Sequence, residues 1–473
     1  MNNYWLAAPE MFLAGAICVV LLVDVYLPRE QRQVTYLLAM LALVGASATS
    51  IFVNVSQPMV TFSGSFITDP AGGALKLLAY FVVALVFLYS RNFLEEQDLF
   101  KGEFFVLSLF GLLGIMVMIS AHSMLTMYLG LELMSLSLYA LVAFNRDSAT
   151  AAESAMKYFV LGAIASGTLL YGISLLYGVT GTVQFSALAA AFSGTQAAPL
   201  PAALGLVFIV VGVAFKFGAV PFHMWLPDVY EGAPVPVTLF IGSVPKLGAF
   251  AMTWRVLVEA LGPMYSSWHA MLVVLSVLSL LIGNIVAIAQ TNLKRMLAYS
   301  TISHVGFILM GFIAGTEDGI EAAMYYTMAY VLMAAAAFGM IIVLSRRGFE
   351  AERIEDFRGL NQRSPWFAWM MLFVMASMAG VPPLIGFYAK LAVLSAVIDA
   401  GLLWLAIFGV VLAVVGAFYY LRVIRYMFFE DAVDQAPLSP ALDLKLVISA
   451  NSLLLLGLGL FPGLLLDLCA RVL

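Results

Sequence analysis

Apolar residues along this chain gather in runs of about twenty, each long enough to cross a bilayer as a helix, and polar residues fall mostly between the runs. The first half predicts spans near 5–26, 33–53, 72–90, 104–120, 123–144, 154–178 and 203–222. The second half adds 234–257, 268–290, 294–315, 320–345, 365–398, 402–427 and 443–468, about fourteen in all. The expected fold is all-α and integral to a membrane, packed as one polytopic bundle.

Two runs break the helical rule: VGVAFKFGAVPFHMW around Pro221 in the seventh span, and SMAGVPPLIGFYAKL around Pro382 and Pro383 in the twelfth. Glycine and proline together free helix carbonyls there, so both spans are predicted to be discontinuous. The breaks lie five spans apart, which suggests that a unit of spans 4–8 is repeated by spans 9–13. Five crossings is an odd number, so the second copy enters from the opposite face, giving two inverted five-helix repeats of the kind that build ion-coupled transporters. The expected division is 1–103 for three amino-terminal helices, 104–257 and 258–427 for the repeats, and 428–473 for a carboxy-terminal helix.

Composition makes lipid the solvent, with 63% of 473 residues apolar, 10% charged, and a mean hydropathy of +1.02. The net charge of −5 is thinly spread and forms no basic stripe, which excludes a nucleic-acid partner. Cys18 and Cys469 stand far apart without a C-x-x-C, so no metal, iron–sulfur cluster or disulfide is expected. No G-x-G-x-x-G or P-loop is present to hold a nucleotide, and electrons are not expected to pass through this chain. The first run begins at Tyr4 and Trp5 without a basic leader and reads as a retained helix.

Orientation follows from where the 22 Lys and Arg fall. With both termini outside, inner loops and helix ends hold 15 of them, and the outer side keeps only Arg255 and Arg471. The remaining five, Lys76, Lys157, Lys216, Lys246 and Lys390, sit inside apolar runs. The outer connection 179–200 carries no charge. The linker from Arg346 to Arg363 reads either as a short helix along the inner surface or as a solvated connector.

Five lysines facing lipid would cost about 12 to 18 kcal/mol, so they must face one another or water. Lys76 and Lys157 lie near helix ends and can snorkel. Lys216, Lys246 and Lys390 lie deeper and read as a proton path, against the alternative of ion pairs that only fix packing. Glu132, flanked by Tyr128, Ser135 and Ser137, needs a cation, and Lys216 is its natural partner if the fifth and seventh spans meet. A carboxylate–lysine pair that opens and closes is a protonation switch able to pass a proton along the membrane plane to Lys246. His304, among Tyr299, Ser300, Thr301 and Ser303, is a candidate shuttle or a hydrogen-bonded structural histidine. Lys294 and Arg295 read equally as anchors or as part of proton admission, for which Lys157 and Asp228 are further candidates. The loop HMWLPDVYEGAPVPVT has His223, Asp228 and Glu231 away from metal-ligand spacing and reads as a rigid cap.

FKFGAVPFHMWLPDVYEGAPVPVT, YLGLELMSLSLYAL, QTNLKRMLAYSTISHVGF and AGVPPLIGFYAKL together resemble the subunit N family of bacterial NADH:quinone oxidoreductase, respiratory complex I. The likeness runs through most of the chain. H-x-W-L-P-D is shared with sister subunits and with sodium/proton antiporter subunits, whereas D-V-Y-E-G-A-P, a lysine at 390 and the lack of a long carboxy-terminal lateral helix favour this family. The resemblance implies an antiporter-like fold in which Glu132, Lys216, Lys246 and Lys390 form the proton path with His304 near the connection. It also implies that NADH, FMN, iron–sulfur clusters and quinone belong to other chains, with membrane subunits as neighbours on both sides and a bacterial inner membrane as the site. The expected function is a proton-translocating, non-redox subunit. Its rivals are a secondary cation/proton antiporter subunit and a structural membrane subunit.

Overall fold

The computed structural model of the chain describes residues 3–194, 199–432, 438 and 440–473, leaving part of the 179–200 connection and the Arg29 side chain outside the described residues. Among these residues thirteen helices are long and apolar enough to span a membrane. The fourteenth, twelfth in order, is two helices of fifteen residues, Pro365–Ala379 and Ile385–Asp399, on either side of the Pro382 break. The seventh is interrupted as predicted: Leu200–Phe217 ends at the break, and a short helix, Trp225–Gly232, follows it. Val220–Pro221 and Pro382–Pro383 are cis peptide bonds.

Burial sorts the spans into a core and a lipid-facing rim. The most apolar windows of the eighth (Val235–Ala260) and eleventh (Glu317–Leu344) spans are 100% buried and that of the tenth (Leu293–Ala314) is 94% buried, against 39% for the sixth (Ala149–Thr180). Lipid tails are as apolar as leucine, so a rim helix need not hide its side chains. What holds the bundle is close backbone approach. A Cβ on Gly114 would run into the backbone of the fifth span (Met124–Val142), and one on Gly283 into that of the tenth. These glycines join the fourth span (Gly102–Ile119) to the fifth and the ninth (Gly262–Ala289) to the tenth. The same neighbour order recurs in both sets of five: each span packs on the next, and the last returns to the first.

Several outcomes differ from the sequence expectation. The connection between the second and third spans holds a small antiparallel hairpin, Met59–Thr61 with Phe66–Thr68, so the fold is nearly rather than wholly helical. The 179–200 connection contains a short helix, Phe185–Phe192. The 346–363 linker holds only a 3-10 turn at Ile354–Phe357 and one helical turn at Leu360–Arg363, and a β-bridge ties Arg353 to Asn292. The final span stops at Leu460, and a separate short helix, Gly463–Val472, follows Pro462. Lys76 does not snorkel: it is buried in an ion pair with Glu10, 2.5 Å away. Arg255, near the end of the eighth span, is 1% exposed between Asp69 and Glu259. Hydropathy windows cannot see these partners, because each acid lies on a different helix or a turn away.

Candidate functional site

The two breaks end their helices by the same device. Gly218, in the left-handed conformation at φ +77°, donates to Phe215 O at 3.0 Å, and Ala219 donates to Ala214 O at 2.8 Å. Gly380, at φ +88°, donates to Ser377 O at 3.0 Å, and Val381 donates to Ala376 O at 2.9 Å. This glycine-centred cap satisfies the carbonyls three and four residues before the glycine and leaves the last two of the helix without a backbone donor. Helix continuation would have supplied their donors from residues 220 and 221, or 382 and 383. Pro221, Pro382 and Pro383 have no N–H, and Val220 donates instead to Ser279 Oγ at 2.9 Å.

Lysines take the vacant place. Lys246 Nζ donates to Phe217 O at 2.9 Å, and Lys390 Nζ donates to Ala379 O at 2.7 Å and Met378 O at 3.1 Å. Phe217 and Ala379 stand at the same position, immediately before the left-handed glycine. A buried carbonyl without a donor is costly, and the negative end of a helix dipole favours a cation. Each lysine is therefore fixed by backbone geometry rather than by a carboxylate.

In the first half, Lys216 occupies the last turn of the seventh span beside Phe217 and donates to Ser135 Oγ at 2.7 Å. Glu132, one turn earlier on the fifth span, accepts from the Ser166 hydroxyl, which lies 3.3 Å from Tyr128 Oη. No ion pair within 4 Å joins Glu132 to Lys216 among the described residues, so the expected direct pair is open and a serine holds each end. Ser135 was legible as a neighbour of Glu132. Ser166 was not, because a serine in a glycine- and alanine-rich span carries no distinguishing signal. Among the described residues Ser137 bonds only to the Leu133 carbonyl.

His304 lies in an uncharged network. Its Nδ1 is 2.7 Å from Tyr326 Oη and its Nε2 is 3.1 Å from Tyr420 Oη, while Tyr420 also meets Ser300. Thr301 and Tyr330 share a hydrogen bond of 2.7 Å beside it. Lys390 Nζ lies 5.5 Å from the ring centroid of Phe307, one turn along from His304. No direct hydrogen bond joins His304 to Lys246 or to Lys390 among the described residues.

The remaining candidates gather at the face where the sequence concentrates its basic residues. Asp228 meets Lys157 at 2.8 Å and Arg295 at 2.8 Å, and these extend to Glu153 and Glu231. Burial alone would raise the Asp228 carboxyl, but its hydrogen bonds from Lys157 and Arg295 outweigh that and hold it below the usual carboxylate range. Lys294 pairs with Glu352 and, at 3.5 Å, Glu350, and donates to Ala233 O at 3.1 Å. It ties the linker to the loop after the seventh span. No cluster of three His, Cys, Asp or Glu is placed to hold a metal ion among the described residues.

A family model described as NADH:quinone oxidoreductase/Mrp antiporter, TM matches residues 121–416, which include every one of these candidates. NADH-quinone oxidoreductase subunit N of Thioalkalivibrio sulfidiphilus is 57% identical over 462 residues, covering 97% of this chain and 96% of its own length. Among solved structures, a chain of respiratory complex I from Thermus thermophilus with bound aureothin is 31% identical, with a TM-score of 0.84 over 98% of this chain and 100% of its own. A chain of the Mrp complex from Dietzia sp. shares the fold, with a TM-score of 0.86 at 20% identity over 99% and 97% of the two chains.

Proposed function

From a chain that belongs to the NADH:quinone oxidoreductase/Mrp antiporter membrane family, and within it to subunit N of the oxidoreductase, we propose a proton path through Glu132, Lys216, Lys246, His304 and Lys390. The protein is a proton-translocating membrane subunit of NADH:quinone oxidoreductase. In our reading it has no redox centre: NADH, FMN, iron–sulfur clusters and quinone are handled by other chains of the complex. Moving a proton against 100 mV costs about 2.3 kcal/mol, which must then reach this subunit from its neighbours in the membrane plane. Spans 4–8 and 9–13 would form the inverted repeats, supported by their matched breaks and neighbour order. The chain would lie in a bacterial inner membrane with both termini on the outer side, and the ion-pair chain through Asp228 and Lys157 would border the side of proton admission.

One contrast carries the proposal. Buried cations that fix packing are paired with acids here, as in Lys76–Glu10 and Arg255–Asp69. Lys216, Lys246 and Lys390 are as deep but are held by neutral oxygens. An ammonium held by neutral oxygens can give up and regain its proton, whereas one locked in an ion pair with a carboxylate is held in its charged form.

The test is NADH-driven proton uptake into inverted vesicles carrying Lys216→Ala, with NADH-to-quinone activity and assembled complex measured in the same preparation. Uptake should fall about tenfold or more with assembly retained, the size of effect a positioned proton-transfer group supplies. Normal uptake would leave Lys216 as scaffold. Uptake that persists without NADH and depends on sodium would favour a cation/proton antiporter.

A further inference from the structure

On the basic face, the ends of three spans leave a groove at the rim of the bundle. The first span (Tyr4–Tyr26) and the fifth both pack on the fourth, and a cavity of about 500 Å³ is lined by all three. Its floor is apolar: Leu21 of the first span, Leu107 and Phe110 of the fourth, and Ala140 and Ala143 at the end of the fifth. Four charged groups, Asp24, Lys101, Glu103 and Arg146, line its mouth. Asp24 stands one turn above Leu21, and Glu103 one turn above Leu107, because side chains three and four residues apart share a helix face.

Among the described residues none of these four charges forms an ion pair, yet they are sorted by sign. Lys101 leans toward the fifth span, its Nζ 5.8 Å from the ring centroid of Phe144, two residues before Arg146. Asp24 is held on the side of the first span, accepting from Thr35 Oγ1 at 2.6 Å and lying against Gly102, whose missing side chain makes the room. Charges at a membrane boundary are drawn to opposite charges on lipid headgroups. We propose that this groove binds one phospholipid whose headgroup carries both a phosphate and a primary ammonium. The phosphate meets Lys101 and Arg146, the ammonium meets Asp24 and Glu103, and an acyl chain lies along the apolar floor. Two cations and two carboxylates sum to zero, so a headgroup of zero net charge matches them, whereas a purely anionic one leaves both carboxylates facing its phosphate. The lipid closes the seam between the amino-terminal helices and the first five-helix unit. This binding goes beyond the proton path and does not depend on it.

The test places a photoreactive side chain in the groove, as Ala140→benzoylphenylalanine, in the whole complex reconstituted into vesicles of equal phosphatidylethanolamine and phosphatidylglycerol. Ala140 is exposed, so the new ring meets whatever fills the groove without entering the core. After illumination the adducts of this chain are identified by mass. Phosphatidylethanolamine should exceed phosphatidylglycerol about fivefold, the scale of one charge at the membrane surface. The same label at Ile164, exposed on the sixth span, reports ordinary boundary lipid and should give a ratio near one. Lys101→Gln with Arg146→Gln should lower the phosphatidylethanolamine adduct at 140 about fivefold or more, and Glu103→Lys should turn the preference toward phosphatidylglycerol. Equal ratios at 140 and 164, or an adduct at 140 with another polypeptide, overturn the proposal, as does a preference at 140 that ignores both charge changes. Comparing the two labelled sites keeps all four native charges, so it decides the matter even where a charge variant fails to assemble.

Discussion

Spans 4–8 and spans 9–13 use one neighbour order and one kind of helix break, yet they supply their protonatable groups differently. The first unit has a carboxylate, Glu132, and a lysine just before the break, with a second lysine arriving from the next helix to cap it. Among the described residues the second unit has no acid at its centre: its lysine follows the break and caps its own helix, and its neighbourhood is histidine and tyrosine. Backbone architecture therefore fixes where a cation can sit, while the side chains around it decide whether it meets a charge or a neutral network. On the proposed path, an electrostatic signal would act on the first unit through Glu132, and the second unit would follow through hydrogen-bond rearrangement.

The sharpest way to break that contrast is Glu132→Gln. The amide keeps a hydrogen-bond acceptor for Ser166 but removes the charge that Lys216 feels across one turn. Proton uptake per NADH should fall about tenfold with the complex intact, because the switch loses its charged arm. If uptake holds, the first unit has no electrostatic switch and the two units work alike.

A smaller effect is expected in the second unit from Tyr420→Phe, which removes the hydroxyl shared by His304 Nε2 and Ser300. His304 keeps Tyr326 on its other nitrogen, so the network loses one route of several. Uptake should fall about two- to fivefold, the range of one neutral hydrogen bond. A loss as large as that at Glu132 would show that the tyrosine network, and not the lysines, limits the second unit.

Much of this is legible in the sequence. Helix number, both breaks and the three deep lysines follow from run length, proline and the cost of a charge in lipid. Pairings between distant helices did not: Glu10 with Lys76 and Asp69 with Arg255 are separated by 66 and 186 residues, and a one-dimensional pattern holds no information on which spans touch. The open state of Glu132 and Lys216 was hidden for a related reason. Ser135 was visible as a neighbour, but its choice of Lys216 over Glu132, and the arrival of Ser166 from the sixth span, depend on packing angles. Lysines capping carbonyls were half visible, since Pro221, Pro382 and Pro383 announce the orphaned groups without saying which donor arrives.

The smallest effect belongs to the basic face, where Asp228→Asn asks whether the Asp228 cluster fastens the bundle or takes part in transport. Lys157 keeps Glu153 and Arg295 keeps Glu231, so the cluster is thinned rather than broken. Exposed pairs contribute little each, and the apparent melting temperature of the complex should fall on the order of 2 °C. The pH dependence has a definite sign. Asp228 is held below the ordinary carboxylate range in the folded chain, so its contribution is fully present above the unfolded value and is lost only as pH falls through the lower folded one. The difference between parent and variant should therefore stay constant from about pH 8 to about pH 5 and shrink only at lower pH. A difference that narrows already between pH 7 and pH 5 would mean that Asp228 exchanges protons in the working range. That outcome would move it from the fastening of this face into the proton path, and would give the first unit an acid at its mouth as well as at its centre.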